Sequence, residues 1–272
     1  MQVFRVSPAE MCMSFWRSRK LIARLAQREI LGRYRGSYFG ILWAIINPLL
    51  LLAVYTFVFT EVFKSRWNVA GHVKTDFAMA YFAGAIVYNV FAESINRAPS
   101  VIVSNPNYVK KVVFPLEILP LVVLATSLFH AVIGFLILIC ACAYLGIAPT
   151  SALAVLPLTA AALCLMTVGF VWLLGSLGVY FRDLGQVVGP LTALLLFLSP
   201  VFYPTDALPE TYRWLLHLNP LTSMIEQVRT IILYGKSPDP GEVALCLGMS
   251  GLFAWVGFAW FQKTRRGFAD VM

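Results

Sequence analysis

The feature that most constrains this sequence is a series of long apolar runs. A helix that crosses the hydrocarbon of a bilayer needs roughly 20 consecutive apolar residues. Six runs approach or exceed that length, and only 12% of the 272 residues are charged, about half the share found in soluble domains. So few charges cannot cover a globular surface in water. The sequence therefore predicts an all-α integral membrane protein with six transmembrane helices.

The spans are placed by the apolar runs and by the polar segments that separate them. The third and fourth runs are longer than a bilayer needs, so a tilt or an extension beyond the membrane must absorb the excess. Asn47-Pro48 lies within the first run, where the proline is expected to kink or loosen the helix. The predicted spans are residues 38–60, 77–94, within 115–145, within 151–180, 187–203 and 243–261.

Lys and Arg are distributed unevenly between the two sides of this arrangement. If the N-terminus, the 95–114 loop, the 181–186 turn and the C-terminal tail share one side, that side holds 15 of the 21 basic residues. The positive side of a membrane protein faces the cytoplasm. Both termini are therefore predicted to be cytoplasmic. The net charge of +8 is attributed to this topology, and no nucleic-acid partner is expected.

Residues 14–31 have the pattern of an amphipathic helix, with basic residues on one face and apolar residues on the other. Such a helix can lie in the headgroup plane, or it can dock against a partner, and the sequence leaves both open. We divide the chain into a cytoplasmic N-terminus with this interfacial helix, residues 1–37, and a single six-helix membrane domain, residues 38–272. The basic residues of the interfacial helix are Arg17, Lys20, Arg24 and Arg28.

The sequence contains no recognisable energy source of its own. Gly235-Lys236-Ser237 ends like a P-loop, but Thr230 stands where the Walker pattern requires Gly. Glu93, His130 and Glu117 are the few ionisable residues in or near the spans, which is too few for a proton relay. No metal-binding or catalytic motif is found, so we expect neither a cofactor nor enzymatic activity on this chain. Uphill transport would need energy from another protein.

The loop over residues 104–115 is the candidate contact with such a protein. It is a short basic and aromatic segment bounded by prolines, able to form a brief surface helix. The alternative is an ordinary basic loop that follows the positive-inside distribution. The residues singled out for this contact are Asn105, Asn107, Tyr108, Val109, Lys110, Lys111 and Val112.

Several segments, in order along nearly the whole chain, resemble the type 2 ABC exporter permeases. The similarity is strongest to the branch that exports O-antigen, capsule and teichoic acid polysaccharides. Residues 27–43 resemble the start of the first span in that family, and Asn47-Pro48 follows as it does there. Asn105-Pro106 and residues 112–115 resemble its loop between spans two and three. The remaining similar segments are residues 180–184, 199–203 and 218–222.

In that family, two identical or similar permease chains form a pore at their interface, and two ATPase subunits dock on the cytoplasmic side. The resemblance assigns the loop residues to a coupling helix and the amphipathic helix to the same surface. It assigns the segment before the last span to short re-entrant helices, which are permitted where they line protein or water. It implies a homodimer in the bacterial inner membrane, ATP and Mg²⁺ on the partner ATPase, and a lipid-linked polysaccharide as the substrate.

Aromatic side chains are the candidates for lining a pore that passes a sugar polymer. A sugar presents hydroxyls and flat apolar C–H faces, and aromatic rings offer rigid apolar area, with a polar tip on Tyr. The alternative is that these rings face lipid or form the interfacial aromatic belt. The candidates in spans one and five are Trp43, Tyr55, Phe57, Phe59, Phe197, Phe202 and Tyr203.

Three other functions compete with polysaccharide export. The first is export of drugs or lipids by the same class of permease. The second is a proton-coupled or facilitative transporter, which should contain inverted repeats; none is detected. The third is a membrane enzyme acting on lipid-linked sugars, which should cluster Asp, Glu or His at one interface. A neighbouring ATPase gene with a carbohydrate-binding domain would favour polysaccharide export.

Overall fold

The computed structural model describes residues 6–58, 77–110, 114–147 and 150–272. All regular secondary structure in those ranges is helical, which confirms the all-α prediction. The α-helices are α1 (Pro8–Tyr34), α2 (Trp43–Phe57), α3 (Phe77–Arg97), α4 (Pro106–Val109), α5 (Leu119–Tyr144), α6 (Leu156–Tyr180), α7 (Leu184–Leu198), α8 (Glu210–Leu218), α9 (Pro220–Ile232), α10 (Pro240–Thr264) and α11 (Phe268–Val271).

Five helical segments in the described ranges are long and apolar enough to cross a bilayer. They contain α2, α3, α5, α6 and α10, which correspond to the first four predicted spans and the last one. The fifth predicted span corresponds to α7, which has 15 residues and is about 22 Å long at 1.5 Å per residue. The chain is thus an all-helical, multi-pass membrane protein, and the sixth span stays a prediction. The spanning segments are Gly40–Phe57, Phe77–Ser100, Leu116–Tyr144, Ser151–Tyr180 and Pro240–Val271.

The fifth predicted span, residues 187–203, is displaced in the structure. Helix α7 begins three residues earlier and ends at Leu198. Ser199 has an extended backbone, because a residue that precedes proline is disfavoured in the helical conformation and Pro200 follows it. Phe202 and Tyr203, which were predicted on the span, therefore lie in the bend that follows the helix.

Helices α6 and α10 cross in close contact at two glycines. A Cβ added at Gly257 would overlap the carbonyl of Gly169, and a Cβ added at Gly169 would lie 3.0 Å from the Cα of Ala254. Small residues of this kind let two membrane helices approach until their backbones touch. This pair forms one side of the core, on which α3 and α5 pack.

A buried ion pair closes the end of the bundle that carries α1, which we call the basic end. Nη1 of Arg265, just after α10, lies 2.6 Å from Oε2 of Glu117, just before α5, and both side chains are largely buried. The hydroxyl of Ser14 donates to Oε1 of Glu117 at 3.1 Å. The indole N–H of Trp172 donates to the Glu117 carbonyl at 3.0 Å. Four separate segments are joined at Glu117, two through its carboxylate and one through its backbone carbonyl.

A buried arginine holds the opposite end of the bundle. Arg229, on α9, donates from Nε to the carbonyl of Ala80 and from Nη2 to the carbonyl of Val201, both at 3.0 Å. Its Nη1 donates to Glu226 at 2.8 Å. Arg229 therefore ties α9 to the start of α3 and to the bend after α7. Helices α8 and α9 occupy the segment predicted to be re-entrant, and their depth in the membrane stays a prediction.

Candidate functional site

The segment predicted to form an interfacial helix is helical, as α1, and extends beyond the predicted residues 14–31, whereas its place at the membrane interface stays a prediction. It starts at Pro8, where the side chain of Ser7 accepts a hydrogen bond from the backbone N–H of Glu10 at 3.2 Å. Such a cap satisfies one of the free N–H groups of the first turn. The four basic residues predicted for this helix are exposed. Of these, Arg17 pairs with Glu10 at 3.0 Å, and Arg28 reaches the 104–115 loop.

The predicted surface helix of that loop is α4, a single turn with Pro106 at its first position. Nη2 of Arg28, on α1, donates to the hydroxyl of Tyr108 at 3.0 Å. The ring of Tyr108 stacks on Phe114, with ring centroids 4.2 Å apart. Glu29, on α1, also pairs with Arg97 at the end of α3. Helices α1, α3 and α4 are thus linked by side-chain contacts at the basic end.

The residues predicted to contact a partner differ in exposure. Asn107 and Lys110 are exposed, whereas Tyr108 and Val109 are half-buried. The side chain of Asn105 instead donates to the carbonyl of Val101 at 3.0 Å and so caps the preceding turn. We call the exposed surface of Asn107 and Lys110 the docking segment. Two further predicted contact residues, Lys111 and Val112, lie outside the described residues.

A cavity of about 710 Å³ lies between α2, α3 and α5, and we call it the α2 cavity. It exists because α2 packs loosely, with almost none of its length buried by the rest of the chain. Its lining combines the predicted Trp43 with amides on two helices, Asn47 on α2 and Asn89 and Asn96 on α3. A largely apolar cavity with a few polar side chains is typical of ligand-binding sites.

Four polar side chains meet at the edge of the α2 cavity. Nη1 of Arg33 lies 2.7 Å from Oε1 of Glu93, and Nδ1 of His130 lies 3.3 Å from Oε2 of the same carboxylate. The hydroxyl of Tyr34 lies 2.8 Å from Nε2 of His130. Burial raises the pKa of Tyr34, so its hydroxyl stays protonated. In the described ranges, no three His, Cys, Asp or Glu residues are placed to hold a metal ion.

Three of the predicted aromatic residues meet in one row, together with Tyr81, which the sequence analysis did not single out. The ring of Tyr55 lies 4.1 Å from that of Tyr81, which lies 5.2 Å from Phe202. Phe202 in turn lies 5.9 Å from Phe197. The row therefore runs from α2 across α3 and the bend after α7 to the last turn of α7 itself.

The other predicted aromatic residues lie outside this row. The hydroxyl of Tyr203 donates to the carbonyl of Phe197 at 2.8 Å, beside the row. Trp43 lines the α2 cavity, and the side chain of Phe57 is exposed. Phe59 lies outside the described residues. Whether any of these rings lines a pore stays a prediction.

Comparison with known proteins gives matches along most of the chain. Residues 20–233 match the family model described as ABC-2 type transporter. The chain is 32% identical to the O-antigen export system permease protein RfbA of Myxococcus xanthus, over 93% of this chain and 95% of that protein. It is 28% identical to RfbA of Klebsiella pneumoniae over the same shares. It is 27% identical to the polysialic acid transport protein KpsM of Escherichia coli, over 79% of this chain and 81% of that protein.

Proposed function

The chain belongs to the ABC-2 type transporter family, and from this premise we propose that it is the membrane-spanning permease of an ATP-driven polysaccharide exporter. The observation that carries the proposal is the similarity to O-antigen export permeases over 93% of this chain. The resemblance noted in the sequence is thereby confirmed. The protein is a multi-pass protein of the inner membrane, and its substrate is a cell-surface polysaccharide, which we take to be lipid-linked.

Energy for transport comes from a separate ABC ATPase, two copies of which bind ATP and Mg²⁺ at the basic end. Two features support this placement. The docking segment exposes Asn107 on the one-turn helix α4 and Lys110 directly after it. The same end carries most of the basic residues, which is the cytoplasmic side by the distribution of Lys and Arg.

The contacts around α4 suggest how movement of the ATPase reaches the membrane helices. Tyr108 holds α4 to α1 through Arg28, and Glu29 holds α1 to α3 through Arg97. A displacement of α4 is therefore passed to α3 through packed and paired side chains rather than through a flexible loop. Ionic and hydrogen-bonded links of this kind are the physical means of coupling two sites.

A second copy of the chain is proposed to complete the pore. Helices α2 and α7 expose large apolar side chains, which suits contact with lipid or with another membrane helix. The aromatic row begins on α2 and ends on α7 at Phe197, so a pore between two copies that contacts both helices would pass its exposed end at Phe197. Rings there would offer apolar faces to sugar residues in transit.

The proposal is tested by deleting the gene and following the polymer with a carbohydrate stain on intact and opened cells. We expect polymer to accumulate inside the deletion strain and to return to the surface when the chain is restored. Normal surface polymer in the deletion strain would contradict the proposal.

The docking segment is tested in the same strain with Lys110→Glu and Tyr108→Ala. Both variants should accumulate in the membrane but bind the ATPase poorly and leave polymer inside. The matched control is Lys236→Glu, which reverses an exposed lysine at the opposite end and should export normally. Wild-type recovery of the ATPase with Lys110→Glu and Tyr108→Ala would place the contact elsewhere.

A further inference from the structure

The exposed positions of α3 are polar, although the rest of this membrane helix is buried. Asn89 and Asn96 are exposed, and Glu93 between them is partly exposed. Residues spaced by three and four positions lie on one face of a helix, so these side chains form one stripe. The stripe spans about 10 Å at 1.5 Å per residue.

The stripe contrasts with the exposed face of another spanning helix of the same bundle. A surface that faces lipid is apolar, because polar groups without partners are costly in hydrocarbon. The α3 stripe therefore faces water or a polar ligand rather than lipid. Between its charged ends, the large exposed side chains of α10 are the apolar residues Leu245, Met249, Leu252, Val256 and Trp260.

Asn47, on α2, lines the same α2 cavity as the α3 stripe. The side-chain amides of Asn47 and Asn89 have no hydrogen-bond partner among the described residues. Asn96 differs, because its Oδ1 accepts from the hydroxyl of Thr192 at 2.9 Å. Each free amide offers two N–H donors and one carbonyl acceptor. Two such groups across one cavity can hold a ligand that both donates and accepts hydrogen bonds.

The charges beside the cavity indicate that this ligand is neutral. Arg33 is already paired with Glu93, and His130 bonds the same carboxylate. Glu93 compensates the positive charge of Arg33, so this arginine attracts an anion less than an unpaired one would, whereas a hydroxyl-bearing ligand needs no net charge. The volume of about 710 Å³ lies within the range of ligand cavities, roughly 300–1,000 Å³.

We propose that sugar residues of the exported polymer occupy the α2 cavity of each protomer, with Asn47 and Asn89 hydrogen-bonding to their hydroxyls. This rests on the proposed function and adds a site within one chain. Trp43, at the same cavity, supplies a rigid apolar face for a sugar ring. The contacts are few and uncharged, so each sugar residue binds weakly and can be replaced by the next as the polymer advances.

Two other occupants are less compatible with these residues. A lipid acyl chain would leave both amides without partners in an apolar surrounding, which is unfavourable. A second copy of the chain could pair the amides, but it would have to fill a cavity that lies between three helices of one protomer.

The first experiment is photo-cross-linking in cells that make the polymer. A benzophenone side chain replaces Asn89, Asn47 or, as the control on the lipid-facing surface, Leu252. Carbohydrate on the cross-linked band is detected with periodate–Schiff stain. We expect stained adducts at positions 89 and 47 and none at 252. Adducts at 89 and 47 that contain only lipid or a second copy of the chain would overturn the proposal.

The second experiment compares Asn89→Leu, combined with Asn47→Leu, with the conservative Asn89→Gln. Losing the hydrogen bonds of neutral amides should slow surface appearance of the polymer about fivefold, with normal recovery of the ATPase. Asn89→Gln should retain most of the rate, and Leu252→Ala should have no effect. An unchanged rate in the double variant would overturn the proposal. If a variant fails to reach the membrane, the cross-linking result decides.

The two proposals fail in different ways. If the deletion strain displays normal surface polymer, the export function itself is wrong. If the deletion strain retains polymer inside but no carbohydrate cross-links at 89 and 47, the export function stands and only the assignment of the α2 cavity is wrong.

Discussion

Replacing Arg229 by methionine should destabilise the protein by an amount that follows from its contacts. The guanidinium is fully buried and donates to the carbonyls of Ala80 and Val201, both at 3.0 Å. A hydrogen bond to a charged group contributes about 1.5 kcal/mol or more, so two of them amount to about 3 kcal/mol. Glu226 is one-third exposed, and water can replace its bond, so that contact is left out of the sum.

The assay is unfolding in detergent, followed by helical circular dichroism, at matched protein and detergent concentrations. Arg229→Met should lose about 3 kcal/mol of stability. Arg229→Lys should recover little of this, because an ammonium group cannot direct three fixed N–H groups at three separate acceptors. Before unfolding, both variants should retain the total helical content of the wild type, since Arg229 holds segments together rather than forming them.

The matched control is Arg213→Met. Arg213, on α8, also donates to two carbonyls, those of Leu208 at 3.0 Å and Asp206 at 3.2 Å, but it is partly exposed. Water can replace those bonds, so the loss should be about 1 kcal/mol or less. The reasoning is refuted if Arg229→Met unfolds like the wild type, or if Arg213→Met loses as much stability as Arg229→Met.

Three further predictions concern the helix crossing, the basic end and the orientation. Gly257→Val should prevent the backbones of α6 and α10 from touching and should sharply reduce the amount of protein in the membrane on immunoblots. The control is Gly248→Val, where an added Cβ meets nothing within 4 Å and the amount should be unchanged. Equal amounts of the two variants would refute the close crossing. Glu117→Gln should leave Arg265 without its buried carboxylate and lower the free energy of unfolding by roughly 2 kcal/mol or more in the same assay. When Arg265→Gln is added to that variant, it should cost less stability than it does in the wild type. Additive losses of stability would refute the coupling of the two residues. In a cysteine-free background, Lys110→Cys should react with a membrane-impermeant maleimide only after cells are opened; labelling of intact cells would reverse the orientation.

The membrane helices could be predicted from the sequence because their signal is local. Each apolar run carries its own evidence of a span, and α3, α5, α6 and α10 lie where the runs are. The start of α1 was predicted six residues late, although the signal was present. Ser7 followed by Glu10 has the spacing of a capping box, and the structure uses Ser7 as the cap.

The contacts that define the candidate sites could not be predicted in the same way. Arg33, Glu93 and His130 are far apart in sequence and meet only when α1, α3 and α5 pack. Arg229 lies outside the six predicted spans, where a charged side chain is usually exposed, whereas the structure buries it completely. No periodicity distinguishes a buried arginine with carbonyl partners from an exposed one, because its partners Ala80 and Val201 lie on other elements.

The polar stripe of α3 could not be predicted from the sequence either. The sequence places Asn89 in an apolar run, where a packed amide and an exposed one have the same pattern. It takes the packing of α3 against its neighbours to show that the exposed positions are the polar ones. Burial of the apolar positions thus shows a polar surface that the mean hydropathy of the run does not indicate.

The most direct test of the account is ATP-driven movement of polymer across a sealed membrane. Inside-out vesicles carrying this chain and its ABC ATPase would be given lipid-linked polymer, then ATP, and then a glycosidase that cannot enter the lumen. The account predicts that ATP protects the polymer from the glycosidase, and that protection is lost without this chain or with a non-hydrolysable ATP analogue. Equal protection in vesicles that lack this chain would contradict it.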